Sequence, residues 1–175
     1  MTLLYLLLGI IVAAFCEFVL GNWRLPLPLI ANVVFYITVA NSYRMGVFAA
    51  FLGGMTLDLV YMRHAFFTPA AMFIVVLAAF YWKKERLTSP LIFNAVFGFI
   101  LPAIMMFSTR IMQECTRAAI KLEFSGERIS ELILAGAVNA VILPVMIIIF
   151  DLIANKLEIN TFSGWILRQK NEDAE

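Results

Sequence analysis

Charge is what this sequence has least of. Only 14% of its 175 residues are charged, 63% are hydrophobic, and the mean hydropathy is +0.93. A soluble domain of ordinary composition keeps about a quarter of its residues charged, so this chain lacks the polar surface to coat a water-soluble globule. The formal net charge of +1 provides no basic face for nucleic acid. One histidine, His64, and two cysteines are too few for a Cys/His zinc site. Cys16 lies inside an apolar run and Cys115 follows one, so they form no disulfide framework. No GxSxG, HExxH or phosphate-binding glycine loop occurs, and no catalytic, cofactor-binding or metal-ligating set is expected. The first apolar run follows only Met1 and Thr2, with no positive leader and no small-x-small cleavage site. It therefore reads as a retained first helix rather than a signal peptide.

What the chain has in abundance is apolar runs. A spanning helix needs about 20 apolar residues, so six would use about 120 and leave only short connections. The runs place helices at about 3–20, 26–41, 45–61, 69–82, 90–112 and 129–155. The expected fold is all-α: a polytopic membrane protein of about six transmembrane helices. Residues 1–156 form one domain and 157–175 a polar cytoplasmic tail. Proline tolerates the first helical turn because its missing N–H is not needed there. Pro26 and Pro28 accordingly open the second helix, and Pro69 and Pro90 open the fourth and fifth, with Thr68 and Ser89 as capping hydroxyls. Pro102 and Pro144 fall mid-span and should kink their helices; the carbonyls they release need protein or water beside them. Six spans put both termini on one side. In the short loops that side carries the more concentrated basic charge, notably Lys83, Lys84 and Arg86, which places the termini in the cytoplasm.

In that topology Glu17, Asp58 and Arg110 lie near the outer ends of the first, third and fifth helices. Charged residues at such depth are paired, solvated at the interface or part of a transport path. The third helix carries a sharper pattern: Gly46, Ala50, Gly54 and Asp58 recur every four residues, with Ala49 and Gly53 alongside. Small residues let helix backbones approach closely. The pattern predicts a tightly packed central helix that ends in a buried carboxylate. Asn32, Asn94 and Asn139 read as interhelical hydrogen-bonding groups. After the fifth span, Ile111, Cys115, Ala118, Ala119 and Leu122 form an apolar stripe beside Arg110, Glu114, Arg117 and Lys121, an amphipathic segment that ends at Ser125-Gly126. Two outer-face patches suit a protein partner: the connection carrying Arg63, Phe66 and Phe67, and the longer stretch 110–124 with Leu122 on its apolar face.

The segment RMGVFAAFLGGMTLDL at 44–59 resembles the signature region of the MreD family of rod-shape-determining membrane proteins. In that family a glycine-rich helix ends in Gly-x-x-x-Asp, which Gly54 and Asp58 match. The preceding Leu25-Pro26-Leu27-Pro28, the chain length and the six-helix plan are also similar, and the resemblance is clearest over 25–82. One departure is the stretch Tyr61-Met62-Arg63-His64-Ala65-Phe66-Phe67, where the family often has a Gly-x-Pro-x-Gly-like sequence. The resemblance implies a non-enzymatic scaffold of the bacterial cell-wall elongation machinery, in the inner membrane and without cofactors. It implies MreC as partner and, through MreC, the cytoskeletal protein MreB, RodA and a class B penicillin-binding protein. It also implies a fold similar to the six-helix substrate-binding subunits of energy-coupling-factor vitamin transporters. Such a subunit is the alternative function. Those subunits couple through a repeated Ala-x-x-x-Ala motif in their first helix, where this chain offers only Gly9-x-x-x-Ala13. An ion or proton carrier would rest on Glu17 and Asp58 alone.

Overall fold

The computed structural model describes residues 2–22, 27–61, 67–84, 90–117 and 126–164. Among these, the regular structure is helical. The six main elements are α1 (Thr2–Asn22), α2 (Leu29–Ala40), α3 (Tyr43–Val60), α4 (Phe67–Lys84), α5 (Pro90–Arg117) and α6 (Gly126–Lys156). Three of them contain stretches long and apolar enough to cross a bilayer: Leu4–Gly21, Tyr43–Val60 and Ile129–Lys156. The apolar parts of the other three are shorter, at Leu29–Ala40, Phe67–Lys83 and Asn94–Ser108. The chain is thus all-helical, with helices suited to a membrane.

Local chemistry sets the helix starts. Pro28 sits just before α2 with φ −82°, and its carbonyl accepts from the Asn32 N–H at 3.1 Å, the first turn of the helix. Ser42 is the N-cap of α3: its backbone is extended and its hydroxyl accepts from the Met45 N–H at 3.4 Å. Pro90 is the first residue of α5, as its missing N–H favours. At α4 the expected arrangement needs correction. The helix begins at Phe67, so Thr68 and Pro69 lie inside its first turn, and the Thr68 hydroxyl donates to a side chain of α3 instead of capping its own helix.

The centre of the bundle is α2, not α3. All twelve residues of α2 are buried, and it touches α1, α3, α4, α5 and α6. The helix is about 18 Å long, short enough to be enclosed by its longer neighbours. α3 lies outside it and contacts α1, α2 and α4. Its buried residues are Gly46, Ala49, Ala50, Gly53, Gly54, Leu57 and Asp58, the small-residue stripe, while Phe48, Phe51 and Leu59 are exposed. The stripe marks the inward face of a flanking helix, because close backbone approach is needed only on the side facing α2 and α4.

α5 and α6 cross closely and antiparallel. A Cβ added at Gly98 would lie 2.7 Å from the Asn139 carbonyl oxygen, and one at Gly136 would lie 2.9 Å from the Phe99 carbonyl oxygen. Past Lys156 the chain reverses and packs back on the bundle, burying Phe162. Residues 157–164, expected to belong to a polar tail, are therefore folded against the helices.

Candidate functional site

The polar groups that the sequence brings into this apolar chain act mainly at helix ends. Asp58 is 7% exposed. One of its carboxylate oxygens accepts from the Thr68 N–H at 3.3 Å and the other from the Thr68 hydroxyl. The amides of a first helical turn have no partner in their own helix and form the positive end of its dipole, so a carboxylate there both satisfies donors and stabilises charge. Gly54, one turn earlier on α3, makes the arrangement possible. A Cβ at that position would lie 2.5 Å from Pro69 Cα and 2.8 Å from Pro69 Cδ, with the Pro69 nitrogen closer still. The Gly54-x-x-x-Asp58 pattern thus seats the start of α4 on α3: the glycine admits the proline and the carboxylate holds the residue before it.

Glu17 does the same for another helix. Its carboxylate accepts from the Ile30 N–H at 3.0 Å, in the first turn of α2. Glu17 and Asp58 therefore stand at the same end of the bundle but serve different helix starts. Arg110 lies on α5, and its side chain falls outside the described residues, as do Phe66 and Leu122. Phe67, the first residue of α4, is half-buried. Gly46 and Ala50 continue the stripe toward the opposite end; a Cβ on Gly46 would run into the Thr38 hydroxyl of α2.

At the far end of α2, the Lys83 ammonium donates to the carbonyls of Val39 at 2.9 Å and Asn41 at 3.3 Å. A cation belongs at this negative end of the helix dipole. The central helix is thus held between a carboxylate from α1 and an ammonium from α4.

Midway along the bundle, Asn32 and Asn139 exchange hydrogen bonds of 2.7 and 3.2 Å, and the Asn139 amide also donates to the Gly98 carbonyl at 2.8 Å. Gly98 is four residues before Pro102, which has no N–H to return to it. The acceptor released by the mid-helix proline is therefore satisfied by a side chain from the next helix, as an apolar environment requires. Asn94, one turn before Gly98, is also buried, but its side-chain oxygen has no hydrogen-bond partner among the described residues.

One acid escaped the sequence reading. Asp151, within the apolar run of α6, accepts from the Tyr36 hydroxyl at 2.8 Å, from the Phe162 N–H at 2.8 Å, and from the N–H and hydroxyl of Ser163 at 2.9 and 2.5 Å. Its signal was available: a lone carboxylate inside a long apolar helix is a polar site by default. Around it, Tyr36 stacks on Phe150 with centroids 5.3 Å apart, and the Tyr5 hydroxyl donates to the Phe150 carbonyl at 3.0 Å.

These features define an all-helical protein with membrane-suited helices, whose buried polar side chains fasten helices to one another. No protein-family model, curated protein or solved structure matches the chain. Among the described residues, no group of three or more His, Cys, Asp or Glu side chains is placed to hold a metal ion.

Proposed function

We propose that this chain is a six-span, non-enzymatic scaffold of the bacterial cell-wall elongation machinery, similar to MreD. It would sit in the inner membrane with both termini in the cytoplasm. The observation that carries the reading is the Gly54–Asp58 clasp on Thr68 and Pro69. It gives a structural task to the residues that resemble the MreD signature, and the task is rigidity rather than chemistry. Glu17, Lys83 and the Asn32–Asn139 pair also join helices, which favours a fixed platform over an ion path. The vitamin-transporter alternative draws less support. Gly9 and Ala13 are buried, with Gly9 against Phe150 and Val33, so this small-residue pair of α1 does not face outward to couple with another subunit.

A platform with so little soluble mass must present its docking surface at the membrane. The partner is MreC, and through it MreB, RodA and a class B penicillin-binding protein. The outer patches at 63–67 and 110–124 are the surfaces offered. The 110–124 stretch is preferred for its greater continuous area. Single cysteines at Phe67 and Leu122, in a background without Cys16 and Cys115, would be crosslinked in native membranes and the adducts identified. Adducts with an MreC-like protein, strongest at Leu122, are the expected result. Co-purification of an ATPase module or a bound vitamin would replace this reading with the transporter one.

A further inference from the structure

We propose that residues 157–164 are a latch, closed by Phe162 and held by Asp151, that opens as a unit while the helical bundle stays folded. The turn that begins the latch is built for reversal. The Leu157 N–H donates to Ile153, the Glu158 N–H to the Asn155 carbonyl at 3.3 Å, and the Ile159 N–H to the Ala154 carbonyl at 2.9 Å. The last two are the pair of backward bonds that ends a helix when the residue between them turns left-handed. That residue is Glu158, with φ 55°, where glycine is the usual occupant. The closed form therefore carries local backbone strain, which its other contacts must offset.

Those contacts centre on Phe162 and Asp151, with Ile159 half-buried against the core beside them. Phe162 is 2% exposed, lying 5.4 Å from Trp82 and 6.5 Å from Tyr36 by ring centroids. Three of the four hydrogen bonds on Asp151 come from the latch, and those from Ser163 are exposed to solvent. The Thr161 hydroxyl accepts from the Gly164 N–H at 2.9 Å, so the short turn keeps an internal bond when it leaves. None of the joints between α1 and α2, α3 and α4, or α5 and α6 passes through these residues. A segment with one fully buried side chain, a half-buried Ile159 and water-accessible hydrogen bonds opens at a lower free energy than the bundle. Because the tail beyond 164 continues directly from it, a pull on the tail withdraws Phe162 from its place on Tyr36 of α2. The central helix is thereby linked to events at the C-terminus.

The test is limited proteolysis of the full-length protein in detergent. Lys156 ends α6 and is exposed, yet the peptide bond after it enters a protease site only when the latch opens. Release of the 157–168 peptide by trypsin, followed by mass, reports the open fraction. Phe162→Ala should speed release by at least about tenfold and Ser163→Ala by about threefold, whereas Glu158→Gly should slow it by about threefold. The melting temperature of the bundle should barely move in any of them. Release from Phe162→Ala within twofold of the parent would overturn the latch. So would an acceleration matched by an equal loss of bundle stability, because the segment would then be part of the core and would open only with it.

Discussion

Gly54→Ala should damage this protein more than the same change at any other glycine of α3. The new Cβ would sit 2.5 Å from Pro69 Cα, with the Pro69 nitrogen nearer. Both belong to backbone at the start of α4, so no rotamer change clears the way. Restoring ordinary contact requires α4 to retreat by about 1 Å, and such overpacking costs about 1–3 kcal/mol. The retreat also draws Thr68 from Asp58; stretching hydrogen bonds to a buried carboxylate adds about 1.5–3 kcal/mol. Alanine recovers about 1 kcal/mol through helix propensity, leaving a net loss of about 1.5–5 kcal/mol. At Gly53 the added atom meets the Ile30 Cγ2 methyl at 2.6 Å, and at Gly46 it meets the Thr38 side chain. Side-chain shifts absorb part of either clash, and the expected loss is about 1–2 kcal/mol. Thermal unfolding of the three purified variants in one detergent, read by loss of the monodisperse peak, gives the ranking. A double variant with Asp58→Asn should lose less than the two single losses together, since both act on the same helix start. Gly54→Ala melting at or above Gly46→Ala, or full additivity with Asp58→Asn, would refute the clasp.

Asp58→Leu should destabilise more than Asp58→Asn, because asparagine keeps an acceptor for Thr68 and nearly the same shape; equal melting temperatures would mean that the carboxylate is not what holds α4. Asn139→Leu leaves the Asn32 amide with only the weak Met146 sulfur acceptor, strands the Gly98 carbonyl, and should cost about 1–2 kcal/mol. Adding Asn32→Leu should restore only part of this, since the Gly98 carbonyl stays unpaired; full recovery would show that the carbonyl never needed Asn139. Finally, a reporter fused after Lys170 should be active in the cytoplasm and silent outside it, and the reverse pattern would invert the proposed topology.

The positions of the six helices were legible because the apolar runs are broken by prolines, asparagines and charge clusters that chain physics puts at helix ends. The inward face of α3 was legible for a similar reason: small residues at a spacing of four have one use in lipid, which is contact. What could not be read was rank. Hydropathy makes α2 the more apolar of the two, but a helix that is apolar all round suits lipid as well as protein, so nothing in the α2 sequence says that it alone is enclosed on every side. Nor does spacing reveal partners across long separations. Glu17 finds Ile30, Lys83 finds Val39, and Asn139 finds Gly98 only after the helices have been arranged. Asp151 was overlooked because hydropathy averaging absorbs a single carboxylate in so apolar a helix, and its partners at 162 and 163 lie beyond the helix end.

The enclosure of α2 bears on how the protein can be made. Ribosomes deliver this helix well before Lys83, whose ammonium caps its last turn, and Asn139, which answers Asn32. In the proposed six-span topology a helix of about 18 Å would until then face a hydrocarbon layer of about 30 Å, with an amide and several carbonyls unanswered. Insertion and folding would then overlap for this chain rather than follow one another. The nascent second helix has to wait in a sheltered place, at the insertion machinery or against α1 and α3, until the C-terminal half closes around it. A chain stopped after α3 would strand it there, a natural target for membrane quality control.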